Sequence, residues 1–182
     1  MSRAPAPLRA AFGQALAEAW AGGAGMLLPA GFFAGAALLV PLTLGPNPAA
    51  LQSVASAVLW IALALASLVT MERLFQADLE DGALDLWAQS GVPLSLMAMV
   101  KTLAHWIVSG LPLVLLSPLI GLMLGLPADK LLSAAAAYGV GGLAFYFWGG
   151  FGASLAAGVR RGGLLIALIA RPFYVPTAMF GA

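Results

Sequence analysis

No cysteine occurs anywhere in this chain, which excludes disulfides, thiolate metal sites and cysteine nucleophiles. Histidine occurs once, as His105. A zinc site built on a histidine pair is therefore excluded, and no HExxH stretch is present. No GxxxxGKS/T stretch is present either, so the chain lacks the usual phosphate cradle for ATP. Charge is the scarcest resource: Asp, Glu, Lys and Arg make up 8% of the residues, against 62% hydrophobic. A soluble domain of this size needs a charged skin, and this one has none. With a mean hydropathy of +1.00, its main solvent is lipid. The few basic residues are too scattered to track a phosphate backbone, which excludes nucleic acid as a partner.

What is present is a series of apolar runs rich in Leu, Ala and Gly. The runs lack the ten-residue alternation of a membrane barrel. A helix needs about 20 apolar residues to cross a bilayer, so the chain has room for about five spans. The fold expected is an all-α, polytopic helical bundle forming a single transmembrane domain over residues 1–182. No secretory signal pattern opens it. Leu8, Phe12, Leu16 and Trp20 recur at intervals of four, which predicts an amphipathic interfacial helix over 1–22. Spans are predicted at about 23–44, 51–71, 102–126, 131–157 and 164–181. Residues 92–101 form an interfacial lead-in, and the third span is expected to kink at Pro112 and Pro118. The fourth carries the small-xxx-small pairs Gly149/Ala153 and Gly152/Ala156, which let helices approach closely in lipid. The fifth is irregular, with Arg171, Pro172 and Pro176.

With the N-terminus in the cytoplasm, Arg3, Arg9, Arg73, Lys101, Arg160 and Arg161 fall on the inner side and only Lys130 on the outer. That bias sets the expected orientation. Lys101 reads most simply as an interfacial anchor. Arg171 would cost at least ~2.5 kcal/mol at mid-membrane without a partner. The simpler expectation is that the helix ends near it and the guanidinium reaches headgroups.

Catalytic readings are poor. His105 and Ser109 stand one helical turn apart, but no acid and no nucleophile elbow accompany them. His105 is either a packing residue or an axial haem ligand. Phe145, Tyr146 and Trp148 stand too deep for an interfacial belt. They pack against neighbours or line a path for a flat apolar ligand. The clearest polar feature is Glu72–Asp85, with five acids and one arginine for a net charge of −4. Leucines and Phe75 punctuate it, which predicts a structured cytoplasmic segment that a basic partner face can grip. The bland alternative is a solvated loop.

Four stretches carry a resemblance to a known family. They are Leu42–Pro46 (LTLGP), Glu72–Leu84 (ERLFQADLEDGAL), Lys101–Leu119 (KTLAHWIVSGLPLVLLSPL) and Arg160–Leu165 (RRGGLL) followed by Pro172 and Pro176. In order and spacing the chain resembles haem exporter protein B, the membrane permease subunit of the cytochrome c-type biogenesis ABC transporter. The resemblance implies a subunit that is not itself an enzyme and holds no cofactor of its own. Its implied setting is the bacterial inner membrane. ATP would be hydrolysed by a separate ATP-binding cassette subunit. Other membrane subunits would handle haem, and a periplasmic haem chaperone would be served indirectly. Glu72, Arg73, Leu74, Phe75, Asp78, Leu79, Asp81 and Gly82 would form the ATPase-coupling site within a segment at 72–91. His105, Phe145, Tyr146 and Trp148 would mark a haem path. Whether such a subunit conducts haem or relays ATP-driven motion is left open, as is a purely scaffolding role. The resemblance further implies six spans, where five are read here, and an apolar residue at position 171.

Overall fold

The computed structural model describes residues 5–21, 26–159 and 162–181, with side chains from Leu8 onward. Among them there is no strand; the chain is a bundle of helices. Arg3, Arg160 and Arg161 lie outside the described residues.

Helix α1 is Pro5–Ala21 and α2 is Leu27–Leu44. A Gly45–Asn47 turn reverses the chain, with Gly45 at φ +72°, where a side chain would be strained. Asn47 then caps α3 (Pro48–Met71) by accepting the Ala50 N–H at 3.2 Å. Pro48 occupies the first turn, where its missing N–H leaves no bond unmade. Two short helices follow, α4 (Gln76–Glu80) and α5 (Ala83–Gln89), separated by Gly82 in the left-handed region. Then come α6 (Leu94–His105), α7 (Leu111–Met123), α8 (Leu131–Ala156) and α9 (Gly162–Gly181).

Five of these stretches are long and apolar enough to cross a membrane: Leu27–Leu44, Pro48–Glu80, Leu94–Met123, Ala128–Ala156 and Gly162–Gly181. Their outward surfaces are Leu-, Val- and Phe-rich, with Leu42, Leu115, Leu132 and Phe180 almost fully exposed. In water such a surface would drive aggregation; in lipid it is the ordinary exterior of a polytopic protein.

The core lies between α3, α8 and α9. Trp60 meets Tyr138 and Phe145 edge-on, with ring centroids 5.1 and 5.9 Å apart. The Tyr174 hydroxyl donates to the Phe145 carbonyl at 2.8 Å and lies 3.0 Å from the Ser67 hydroxyl, tying α9 to α8 and α3. The glycines of α8 make close packing possible. A Cβ on Gly152 would stand 3.3 Å from the backbone oxygen of Ile166 in α9, and one on Gly150 only 2.6 Å from Thr102 Oγ1 in α6.

One expectation needs correction, and two others gain detail. The chain from Leu94 to Met123 is helical without interruption, so the stretch up to Lys101 runs directly into the span. Its irregularity is a π-turn at Trp106–Gly110, just before Pro112. Pro112 has no N–H for the carbonyl four residues back, and a π-turn is a common way for a helix to absorb such a gap. In α9 the helix does not end near Arg171; it runs through Pro172 and Pro176 to Gly181. Prolines are tolerated there because packing against α3 and α8, not backbone hydrogen bonds alone, holds the segment. In α1 the packed face is centred on Ala15, and Trp20 points away, 71% exposed.

Candidate functional site

The acidic stretch is built as an elbow pinned to the bundle. As α3 ends, Met71, Leu74 and Phe75 turn inward and pack with Tyr146, Ala153, Ala156 and Ile166. Burying three large side chains gives the elbow a fixed base, each worth about 1.5–3 kcal/mol of transfer from water. Glu72 reaches across to α9, where its carboxylate accepts the Gly163 N–H at 3.3 Å.

Beyond that base the acids divide. Asp78 turns inward, and both of its oxygens receive hydrogen bonds from Lys101 Nζ at 2.6 Å. Lys101 also donates to Glu18 of α1 at 3.0 Å, and its ammonium lies 5.6 Å from the Trp87 ring centre. Asp78 and Lys101 are both more than nine-tenths buried, while Glu18 is half-exposed. Burial pushes the Asp78 carboxyl above its ordinary value, with the Lys101 hydrogen bond and charge pulling the other way. Lys101 is thus the hub of a three-helix ion cluster, in place of the interfacial anchor expected for it. The covering helices α1 and α4 account for the change. The partners stand 83 and 23 residues away in the chain, so no local spacing signals the cluster.

The opposite side of the elbow is open. Glu80, Asp81 and Asp85 are exposed, together with Leu79 and Leu86. Gln76 braces Glu80 with a 2.9 Å hydrogen bond. Gly82, at φ +73°, turns the chain so that α4 and α5 present these groups together. The result is an acidic knob with two leucines at its surface. Arg73 is exposed at its edge.

The second group of residues does not form one path. His105 lines a cleft of about 540 Å³ with Glu18, Val69, Thr70, Arg73 and Lys101. Its Nε2 is buried and without a hydrogen-bond partner, as is Trp106 Nε1. Tyr146 sits beside it, with ring centroids 5.7 Å apart, but is fully buried. Phe145 lies in the separate core around Trp60, and Trp148 stacks on Phe173 at 4.1 Å on the outer surface. The Ser109 hydroxyl donates to the His105 carbonyl at 2.7 Å, so the pair does not form a catalytic dyad. Among the described residues no three His, Asp or Glu side chains are grouped to hold a metal ion.

Comparison with known proteins gives a consistent picture. A family model described as CcmB protein matches residues 10–182. Heme exporter protein B of Rhodobacter capsulatus is 43% identical over 175 residues, covering 96% of this chain and 80% of that protein. Heme exporter protein B of Pseudomonas aeruginosa is 43% identical over 154 residues, 85% of this chain and 69% of that protein. The Escherichia coli K12 protein of the same name is 36% identical over 152 residues, 84% of this chain and 69% of its own length.

Proposed function

This chain belongs to the CcmB protein family, and from that membership we propose that it is the membrane permease subunit of a haem-exporting ABC complex. It contributes no catalysis of its own. A separate ATP-binding cassette subunit supplies the ATPase, further membrane subunits handle haem, and a periplasmic chaperone receives it. Haem is cargo, either conducted by this subunit or released by the motion it relays. The complex sits in the bacterial inner membrane with the N-terminus of this chain in the cytoplasm. The excess of basic residues on that side supports this orientation.

The observation that carries the reading is the elbow at 72–91. An acidic, leucine-bearing knob is fixed rigidly to the bundle through Leu74, Phe75 and the Asp78–Lys101 pair. A soluble partner that grips the exposed Glu80, Asp81, Asp85, Leu79 and Leu86 can therefore move the spans without unfolding the segment. A basic surface on the partner would be steered to it and aligned by charge. Asp78 takes an internal role here, holding the knob in place, and the exposed acids take the contact.

The test is co-purification. Glu80→Lys, Asp81→Lys and Asp85→Lys together should lower recovery of the ATP-binding cassette subunit at least tenfold, with this chain still inserted in the membrane. Undiminished recovery would rule out the knob as the docking surface. Full cytochrome c maturation with an ATPase-dead partner would favour the scaffolding role over coupling.

A further inference from the structure

The helical stretch from Leu94 to Met123 joins two parts of the bundle that pack separately. Up to its π-turn, Ala98 and Trp106 lie against the cluster of Met71, Leu74, Phe75 and Tyr146 that forms the base of the knob. Lys101, on the same stretch, holds Asp78 of the knob directly. Beyond the turn, Leu113 and Ile120 belong to the core around Trp60 and Phe145. Helices α3 and α8 also run through both clusters, but without a π-turn. Trp106–Gly110 is the only π-turn among the described residues, and it falls at the boundary. The Leu111 N–H bonds the Trp106 carbonyl, five residues back. Bonding the Ile107 carbonyl instead would make an ordinary α-turn. That change of one residue rotates one half of the stretch by ~100° against the other and shifts it by ~1.5 Å. His105 Nε2 and Trp106 Nε1 are buried and without a hydrogen-bond partner. The helices around them close both atoms off, so no chain outside the described residues can bond them in this register. Leaving them unbonded destabilises the π register against any that bonds them. The wall beside the turn is smooth. Gly139 and Gly142 of α8 face Val114 and Trp106, which lie 3.7 and 3.6 Å from where a Cβ would stand.

We propose that the Trp106–Gly110 π-turn is the joint at which motion of the knob becomes rotation of α7, the turn passing between π and α registers. This rests on the reading of the knob as the contact for the ATP-binding cassette subunit. A pull on the knob reaches α6 through the Asp78–Lys101 pair, and α7 then turns against the glycine face of α8. Packed elements switch between discrete arrangements of this kind, and π-turns inside helices are often found where function needs one. Gly110 is a positioning residue for the joint. A Cβ there would stand 2.5 Å from Trp106 Cδ1 and 3.0 Å from the Tyr146 ring, so only glycine lets these two rings close on the turn.

The experiment uses the full complex. Spin labels on Met99→Cys and Leu115→Cys, both exposed, stand on either side of the turn, in a chain with no cysteine of its own. Their separation is measured by electron paramagnetic resonance without nucleotide and with ATP trapped on the cassette subunit. A ~100° turn carries a side chain ~5 Å from the axis sideways by ~8 Å, so the separation should shift by at least ~2 Å. An unchanged separation, with the cassette subunit bound and holding ATP, would overturn the joint and leave the knob's docking role intact; it is the result expected of a turn that only accommodates Pro112. Deleting Ile107 removes the extra residue and leaves an α-turn. The cassette subunit should then co-purify as before, while cytochrome c maturation falls at least tenfold and the separation no longer responds to ATP. Ile107→Val keeps the length and should retain full maturation. Normal maturation after the deletion would overturn the proposal. If the deletion prevents insertion, the label separations in the full-length chain decide. Failure of the knob reading shows separately, as undiminished recovery of the cassette subunit with lysine at positions 80, 81 and 85.

Discussion

Replacing Lys101 by methionine keeps much of the aliphatic stem and deletes the charge that Asp78 depends on. Asp78 is 5% exposed and takes both of its close hydrogen bonds from that one ammonium. Removing one member of such a pair leaves a buried carboxylate uncompensated, which typically costs about 3–5 kcal/mol. Glu18 contributes much less: its side chain is 43% exposed, and pairs of that kind contribute about 0–1 kcal/mol. Three results follow. Lys101→Met should lower stability by about 3–5 kcal/mol and Glu18→Gln by at most ~1 kcal/mol. Lys101→Met combined with Asp78→Leu should recover most of the loss, because an apolar pair of similar volume is often as stable as the ion pair it replaces. The single-variant deficit should also depend on pH. Without the ammonium, nothing opposes the upward push of burial on Asp78. A group whose folded-state pKa is raised stabilises the fold when protonated, so the variant should lose stability as pH rises through that raised pKa and regain it as pH falls. Unfolding in mixed detergent–dodecyl sulfate micelles, followed by the fluorescence of the five tryptophans, reads each quantity. A Lys101→Met deficit below about 1 kcal/mol, or a double variant no better than the single, would refute the buried-pair reasoning.

Tyr174→Phe removes the hydroxyl that reaches Phe145 and Ser67 and should cost about 0.6–1.7 kcal/mol in the same assay, the range for interhelical hydrogen bonds in bilayers. Gly152→Leu should cost about 1–3 kcal/mol by forcing α8 and α9 apart, since even a Cβ there meets the Ile166 carbonyl at 3.3 Å. Gly13→Ala in α1, where among the described residues no atom beyond the helix's own backbone and chain neighbours lies within 4 Å of the added carbon, should instead stabilise by roughly 0.5–1 kcal/mol. Because the chain has no native cysteine, Asp81→Cys and Lys130→Cys give clean topology probes. An impermeant thiol reagent should label position 81 from the cytoplasm and position 130 from the far side; the reverse would invert the assigned orientation.

The all-helical, membrane-spanning character was legible because it depends on quantities summed over the chain: few charges, long apolar runs, and turns marked by Gly, Pro and Asn. The turn at Gly45–Asn47 illustrates this, since positive φ and side-chain capping are local matters that the residue types report directly. The acidic stretch was legible for the same reason, as charges that cannot lie in lipid. The path drawn through α9 was not. Pro172, Pro176 and Arg171 each argue locally for a break, and only burial of Ile166, Ala170 and Tyr174 against α3 and α8 overrides them. In α1, likewise, only packing shows that Ala15 is the buried residue while Trp20 stays exposed.

The sequence alone determined the solvent of this protein, its helical class and its family, because hydropathy and a long run of matched residues need no three-dimensional knowledge. Tertiary structure alone decided which charges face water and which face each other. Asp78 and Asp81 stand three residues apart in one acidic run, yet one is closed onto Lys101 and the other is exposed. The physical reason is that an ion pair depends on distance in space, and Glu18, Asp78 and Lys101 meet only after α1, α4 and α6 have packed.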